Sequence, residues 1–152
     1  MKTPDGVAKR ILVVEDEPAI GQACRRVLIG EGFEVDIALN GSIAQDMVAE
    51  KRYDLCLIDI RTPTMNGKDF YRWLKERYPE LAGRVIFTTG DVMNGGIQGF
   101  LEQAARPFLP KPFTPAELRT VVREAAKEWQ RPGYHHEGRG TDASTREKST
   151  GC

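Results

Sequence analysis

The chain nowhere reaches the roughly 18 consecutive apolar residues that a membrane-spanning helix needs. Its first residues, Met1-Lys2-Thr3-Pro4-Asp5-Gly6, lack the apolar core of a secretory signal. It also lacks an excess of either charge: 22 Lys+Arg balance 22 Asp+Glu, for a formal net charge of zero. That balance argues against a broad basic surface for nucleic acid or anionic lipid. There are three cysteines, Cys24, Cys56 and Cys152, with no CxxC pair among them, so neither a disulfide scaffold nor a thiolate metal site is encoded. Cys24 and Cys56 sit inside apolar patterns, where cysteine packs as a small hydrophobe. These features place the chain in a reducing, cytoplasmic setting and make the Asn40-Gly41-Ser42 sequon accidental. Histidine is nearly absent too, and His135-His136 falls in a polar stretch.

What is present is ordinary globular material. Of 152 residues, 40% are hydrophobic and 29% charged, which suits one domain and excludes a fibrous chain. Short strand-like runs alternate with helical periods. Ile11-Leu12-Val13-Val14, Leu55-Cys56-Leu57-Ile58 and Val85-Ile86-Phe87 read as strands buried on both faces, Phe33 to Ile37 as one with a wetter face, and Phe108-Leu109 as a very short fifth.

Between them lie five helices. The first opens at Pro18, carries Ile20, Cys24, Val27 and Leu28, and ends near Gly30; the second follows Asn40-Gly41-Ser42 with Ile43, Met47 and Val48. The third presents Phe70, Trp73, Leu74 and Tyr78 and is closed by Pro79. Gly95-Gly96 reads as a loop before a fourth helix with Ile97, Phe100, Leu101 and Ala104. Thr114-Pro115-Ala116-Glu117 is a capping box opening the last, with Leu118, Val121, Val122, Ala125 and Trp129. The pattern stops at Arg131. The expected organisation is a flexible N-terminus over 1–8, a folded domain over 9–130 and a disordered tail over 131–152.

Strands alternating with helices imply an α/β fold, a doubly wound parallel sheet with helices on both faces. Right-handed crossovers bring every strand's C-terminal end to one sheet edge, where such folds bind ligands. The residues following the strands are Glu15, Asp16 and Glu17; Asp59; Thr88 and Thr89; and Lys111. Crowded carboxylates need a cation or protons to coexist, and Mg2+ suits them because it takes one or two carboxylates and leaves room for phosphate oxygens. An aspartate beside such a cation can act as nucleophile and form an acyl phosphate, with lysine and hydroxyl donors for the phosphoryl oxygens. Each residue alone has a structural explanation; their arrival together at one edge carries the inference.

Four blocks in order, Ile11 to Pro18, Asp59 to Gly67, Thr88-Thr89-Gly90 and Lys111-Pro112-Phe113, resemble the receiver domain of two-component response regulators over about 9–130. The resemblance implies a flavodoxin-like five-stranded sheet of order 2-1-3-4-5. It implies Asp59 as phosphoacceptor and Mg2+, with Mn2+ as a substitute, held by Asp16, Asp59 and the backbone carbonyl of Arg61, with Glu15 acting through water. It assigns Thr89 as the switch hydroxyl, Phe108 as the aromatic that follows it inward, Lys111 as the phosphoryl-binding cation, and a cis bond at Lys111-Pro112.

Thr62 stands where the family often has methionine, a change expected to be tolerated. Arg61 and Asp91, each two residues beyond a site residue, are expected to pair across the opening and slow hydrolysis. The implied partners are a histidine kinase or histidine phosphotransfer domain, and a downstream protein at the face of the fourth helix, fifth strand and last helix. A phosphorylation-dependent homodimer is a further implication; direct DNA binding and membrane insertion are not expected. The stretch from Thr89 to Lys111 is most similar to receivers at the C-terminal end of hybrid sensor histidine kinases, so a phosphorelay intermediate is the alternative role.

Other classes fit less well. A haloacid-dehalogenase-like phosphatase needs Asp-x-Asp, and Arg61 replaces the second carboxylate. Nucleotide binding needs a glycine-rich first turn, where this chain has Glu15-Asp16-Glu17; Gly138 to Ala143 has the spacing but no preceding strand. A scaffold that never accepts a phosphoryl group keeps the fold but leaves Glu15, Asp16, Asp59, Thr89 and Lys111 unexplained.

Overall fold

A computed structural model describes residues 9–62, 65–90 and 94–127. The expected flexible N-terminus 1–8, Trp129, the tail 131–152 and Asp91 lie outside the described residues. The chain divides at Val121/Val122, and the sheet and the candidate site lie in the first unit.

Five parallel strands, β1 (Arg10–Val14), β2 (Glu34–Ala38), β3 (Leu55–Asp59), β4 (Val85–Thr89) and β5 (Phe108–Pro110), form one sheet of order β2-β1-β3-β4-β5. The helical elements are α1 (Pro18–Gly30), α2 (Gly41–Glu50), α3 (Gly67–Arg77), α4 (Pro79–Ala82), α5 (Gly95–Ala104) and α6 (Pro115–Lys127). β3 and β4 are buried at every position, and β1 at all but its first, because each has neighbours on both sides. β2 and β5 are the sheet edges and are only partly buried, β2 at Val35 and Ala38 and β5 at Leu109. The order reverses between β1 and β3, so the crevice at their C-terminal ends is the topological switch point.

Alternation along the strands sorts the core. Leu12, Val14, Cys56, Ile58, Val85 and Phe87 join one cluster with Ala44, Val48, Phe70, Leu74 and Ile97 from the helices. Within it Tyr71, Phe87 and Phe100 meet edge to face, with centroids 5.1 to 5.9 Å apart. This geometry suits aromatic quadrupoles and anchors β4 just before Thr88 and Thr89. Cys24 and Cys56 are buried free thiols, as their apolar settings predict.

Four expectations change. Pro79 does not merely close α3; it opens the one-turn α4, giving six helical elements among the described residues. Tyr71 is buried on α3, whereas Trp73 and Tyr78 are half-buried. Ile43 is 41% exposed, and the buried positions of α2 are Gly41, Ala44 and Val48. Gly95 and Gly96 belong to the first turn of α5, because the Asn94 side chain accepts from Gly96 N and Ile97 N and offsets their poor helix propensity. The capping box of α6 forms as expected: Thr114 N donates to Glu117 Oε1 at 2.8 Å and Glu117 N to Thr114 Oγ1 at 3.1 Å.

Candidate functional site

Asp59 ends β3 and is 5% exposed. Its Oδ1 accepts from Arg61 N at 3.1 Å and its Oδ2 from Lys111 Nζ at 2.9 Å. Lys111 follows β5, and its N–H donates to the Thr89 carbonyl at 2.8 Å, which holds the start of the β5–α6 loop against the end of β4. Its Nζ also lies 2.9 Å from Glu15 Oε1 and 3.7 Å from Glu17 Oε1. One ammonium thus bridges two buried carboxylates that are distant in sequence. Burial alone would push Lys111 toward neutrality; hydrogen bonds and charge from Glu15 and Asp59 outweigh it and raise its pKa.

Glu15 is 3% exposed just past β1, its backbone N–H bonded to the Ala38 carbonyl and its Oε2 accepting from Glu17 N at 3.2 Å. Burial pushes its carboxyl up from 4.5 to about 7; Lys111 opposes the rise and the neighbouring Asp59 charge adds to it. A raised acid stabilises the fold while it keeps its proton and loses that contribution as pH rises through the folded value. Stability without divalent cation should therefore fall between pH 4.5 and about 7. Glu15→Gln is expected to flatten that segment, read by urea denaturation at both ends of the window; an unchanged slope would contradict the assignment.

The carboxylates of Glu15, Asp16 and Asp59 bring ligand oxygens within 4.8 Å of one another. A set of hard oxygen donors at one partly open edge fits a small divalent cation such as Mg2+. Thr89 ends β4 fully buried, and Phe108 opens β5 at 41% exposure, so this structure holds the aromatic outward. The Lys111-Pro112 bond is cis, as the resemblance implies. Arg61 is exposed, and the proposed pairing with Asp91 falls outside the described residues.

The structure thus brings Glu15, Asp16, Asp59 and Lys111 together. Glu15 is tied directly to Lys111, a contact between residues that follow different strands and that no local pattern announces. Two further residues shape the loop after Asp59 without having been singled out in the sequence for that role: Gly41 and Thr62, both bonded to the Met65 carbonyl. The charges at the opposite sheet edge are structural: Asp54 accepts from Arg10 N at 2.9 Å and lies within 4.0 Å of Lys9, Arg52 and Arg84.

Comparison with known proteins shows the family and the fold. The family model for the response regulator receiver domain matches residues 11–123. The DNA-binding response regulator MtrA of Mycolicibacterium smegmatis is 39% identical over 121 residues, covering 78% of this chain and 51% of that protein. Response regulator MprA of Mycobacterium avium is 34% identical over 114 residues, covering 75% and 49%. The chain spans about half the length of these curated relatives.

Among solved structures, a CheY-like receiver domain protein from Methanospirillum hungatei superposes with a TM-score of 0.74 at 27% identity, covering 81% of this chain and 97% of that one. The receiver domain of a signal transduction histidine kinase from Syntrophus aciditrophicus gives 0.74 at 27%, covering 82% and 94%. The sheet order, the acidic edge and the extent of the family match agree, and the chain belongs to the response regulator receiver domain family of two-component signalling.

Proposed function

We propose that this chain, over residues 9–130, is a phosphorylation-controlled switch that accepts a phosphoryl group on Asp59. The observation that carries the reading is the Asp59 carboxylate at the switch-point edge, bonded by Lys111 Nζ at 2.9 Å beside the carboxylates of Glu15 and Asp16. In the step proposed, a carboxylate oxygen of Asp59 attacks phosphorus, the bond from phosphorus to the donor's leaving atom breaks, and the leaving group carries away that electron pair. Arg61 N steadies Oδ1, and Oδ2, held by Lys111 Nζ at 2.9 Å, is the oxygen that attacks once Lys111 moves off it. Lys111 passes from Asp59 Oδ2 to a phosphoryl oxygen, and the Thr89 hydroxyl donates to another.

Asp16, Asp59 and the Arg61 carbonyl are the residues proposed to hold Mg2+ (or Mn2+), with Glu15 acting through water. When bound, the cation neutralises carboxylate and phosphoryl charge that otherwise repel each other. The reaction is one transfer per protein, with hydrolysis returning Asp59, rather than metabolic turnover.

The added charge draws Thr89 inward, and Phe108 moves from its exposed position to follow it. The face of α5, β5 and the first turns of α6 then changes its affinity for a downstream protein or a second copy of the chain. The donor is a histidine kinase or a histidine phosphotransfer domain, and the setting is cytoplasmic. Balanced charge supports a protein output over DNA; DNA binding is named for MtrA, which is about twice as long as the matched segment. The role of phosphorelay intermediate in a hybrid kinase is the second reading, favoured by the likeness to the Syntrophus kinase receiver.

Incubation with acetyl phosphate and Mg2+ is expected to give an acyl phosphate that hydroxylamine removes, and chelation of Mg2+ should abolish its formation. An adduct formed equally well with chelator present would contradict the proposed role of the acidic cluster.

A further inference from the structure

We propose that Thr62 is a positioning residue which, together with Gly41, fixes the Met65 carbonyl and thereby holds the Asp59–Arg61 segment in its cation-binding shape. The inference rests on the function proposed above. It starts from a residue that departs from the family's usual methionine and that the sequence suggests is merely tolerated.

Thr62 is 4% exposed, and its Oγ1 donates to Met65 O at 3.2 Å. The same oxygen accepts from Gly41 N at 3.0 Å, at the start of α2. Both lone-pair directions of one carbonyl are therefore used, one by the loop itself and one by a helix more than twenty residues earlier. The approach of α2 is close: a Cβ at Gly41 would lie 2.5 Å from Met65 O, 2.8 Å from its Cγ and 2.9 Å from its Cβ. Only glycine lets α2 come near enough to make the bond.

Upstream, the segment is tied just as firmly. Ile60 N donates to Thr88 O at 3.0 Å, Gly67 N to Ile60 O at 2.9 Å, and Arg61 N to Asp59 Oδ1. Arg61, whose carbonyl is the proposed cation ligand, lies between the two fixed ends. A buried hydroxyl is costly unless bonded, and here its bond to the Met65 carbonyl fixes Thr62, the residue after the proposed ligand. A methyl group in place of the hydroxyl would fill the same space and lose that bond.

The test measures Mn2+ binding directly, from the electron paramagnetic resonance signal of free Mn2+, without any phosphodonor. Thr62→Val is expected to weaken Mn2+ binding about 3- to 10-fold, the range of one lost hydrogen bond. Thr62→Ser should return it to within about twofold of wild type. Val48→Ala, a buried change elsewhere on α2, should lower thermal stability and leave Mn2+ affinity unchanged. Amide exchange supplies a second readout: Gly41 N–H should be protected in wild type and exchange faster in Thr62→Val. Wild-type affinity in Thr62→Val, or equal loss in the valine and serine variants, overturns the positioning role. Wild type that binds no Mn2+ overturns the functional reading beneath it, a separate and distinguishable failure.

Discussion

Lys111→Met is expected to slow phosphorylation of Asp59 by about 10²- to 10³-fold, the usual cost of removing one preorganised donor to developing charge. The same change should make the fold depend on divalent cation. In the wild type the Lys111 ammonium lies 2.9 Å from carboxylate oxygens of both Glu15 and Asp59, which are 3% and 5% exposed. Methionine retains the apolar stem and removes the charge, leaving two buried acids facing each other.

Breaking a buried ion pair from one side costs about 3–5 kcal/mol, of which Mg2+ or a proton can return part. Protonation acts in one direction only. The folded Glu15 carboxyl, whose rise Lys111 opposes, gains affinity for protons when Lys111 leaves, so the variant should gain stability as pH falls toward the ordinary carboxylate range, more steeply than wild type. Thermal melting with and without Mg2+ at two pH values reads both effects. A variant with wild-type rate, and no added dependence of stability on Mg2+ or pH, would remove Lys111 from the site.

The second large effect is expected at Gly67. A Cβ there would lie 2.7 Å from the Asp59 carbonyl oxygen, 2.7 Å from Ile60 Cα and 2.9 Å from Ile58 Cγ2. Two of these are backbone atoms of β3 and its exit, which cannot rotate away. Gly67→Ala must therefore tilt α3 or displace Asp59. Overpacking of this kind costs about 1–3 kcal/mol. The catalytic loss should be about 10²-fold, because a displacement of roughly 1 Å at a reacting group has that effect.

Gly99→Ala is the matched control. Nothing lies within 4 Å of the Cβ it would add, and alanine in a helix interior should stabilise α5 by about 0.5–1 kcal/mol. Equal phosphorylation rates in Gly67→Ala and wild type would show that the close approach does not position the acceptor.

Much of this site is legible in the sequence because the fold does the assembling. Buried runs such as Leu55 to Ile58 mark strands, parallel strands share a C-terminal edge, and the residue after each run is a candidate without further information. Asp16, Asp59, Thr89 and Lys111 are found in this way. What escapes is whatever depends on contacts between distant elements. Glu15 reads as an acid acting through water, yet β5 delivers Lys111 directly onto it.

Tyr71 and Trp73 both lie near the Phe70–Leu74 stripe, and periodicity cannot choose between them. Phe87 and Phe100 make the choice by meeting the Tyr71 ring edge to face. Ile43 looks like a core residue because it is apolar, but α2 approaches the rest of the domain through Gly41, Ala44 and Val48, so small size decides there. Gly95-Gly96 reads as a loop until the Asn94 cap is seen to satisfy two amides of the first turn.

The proposed switch depends on Asp59 as its phosphoacceptor. Intact mass spectrometry of wild type and Asp59→Asn, each treated with acetyl phosphate and Mg2+, tests it most directly. A single phosphoryl adduct on wild type and none on Asp59→Asn is the predicted result; an unmodified wild type, or an equal adduct on the variant, would contradict it.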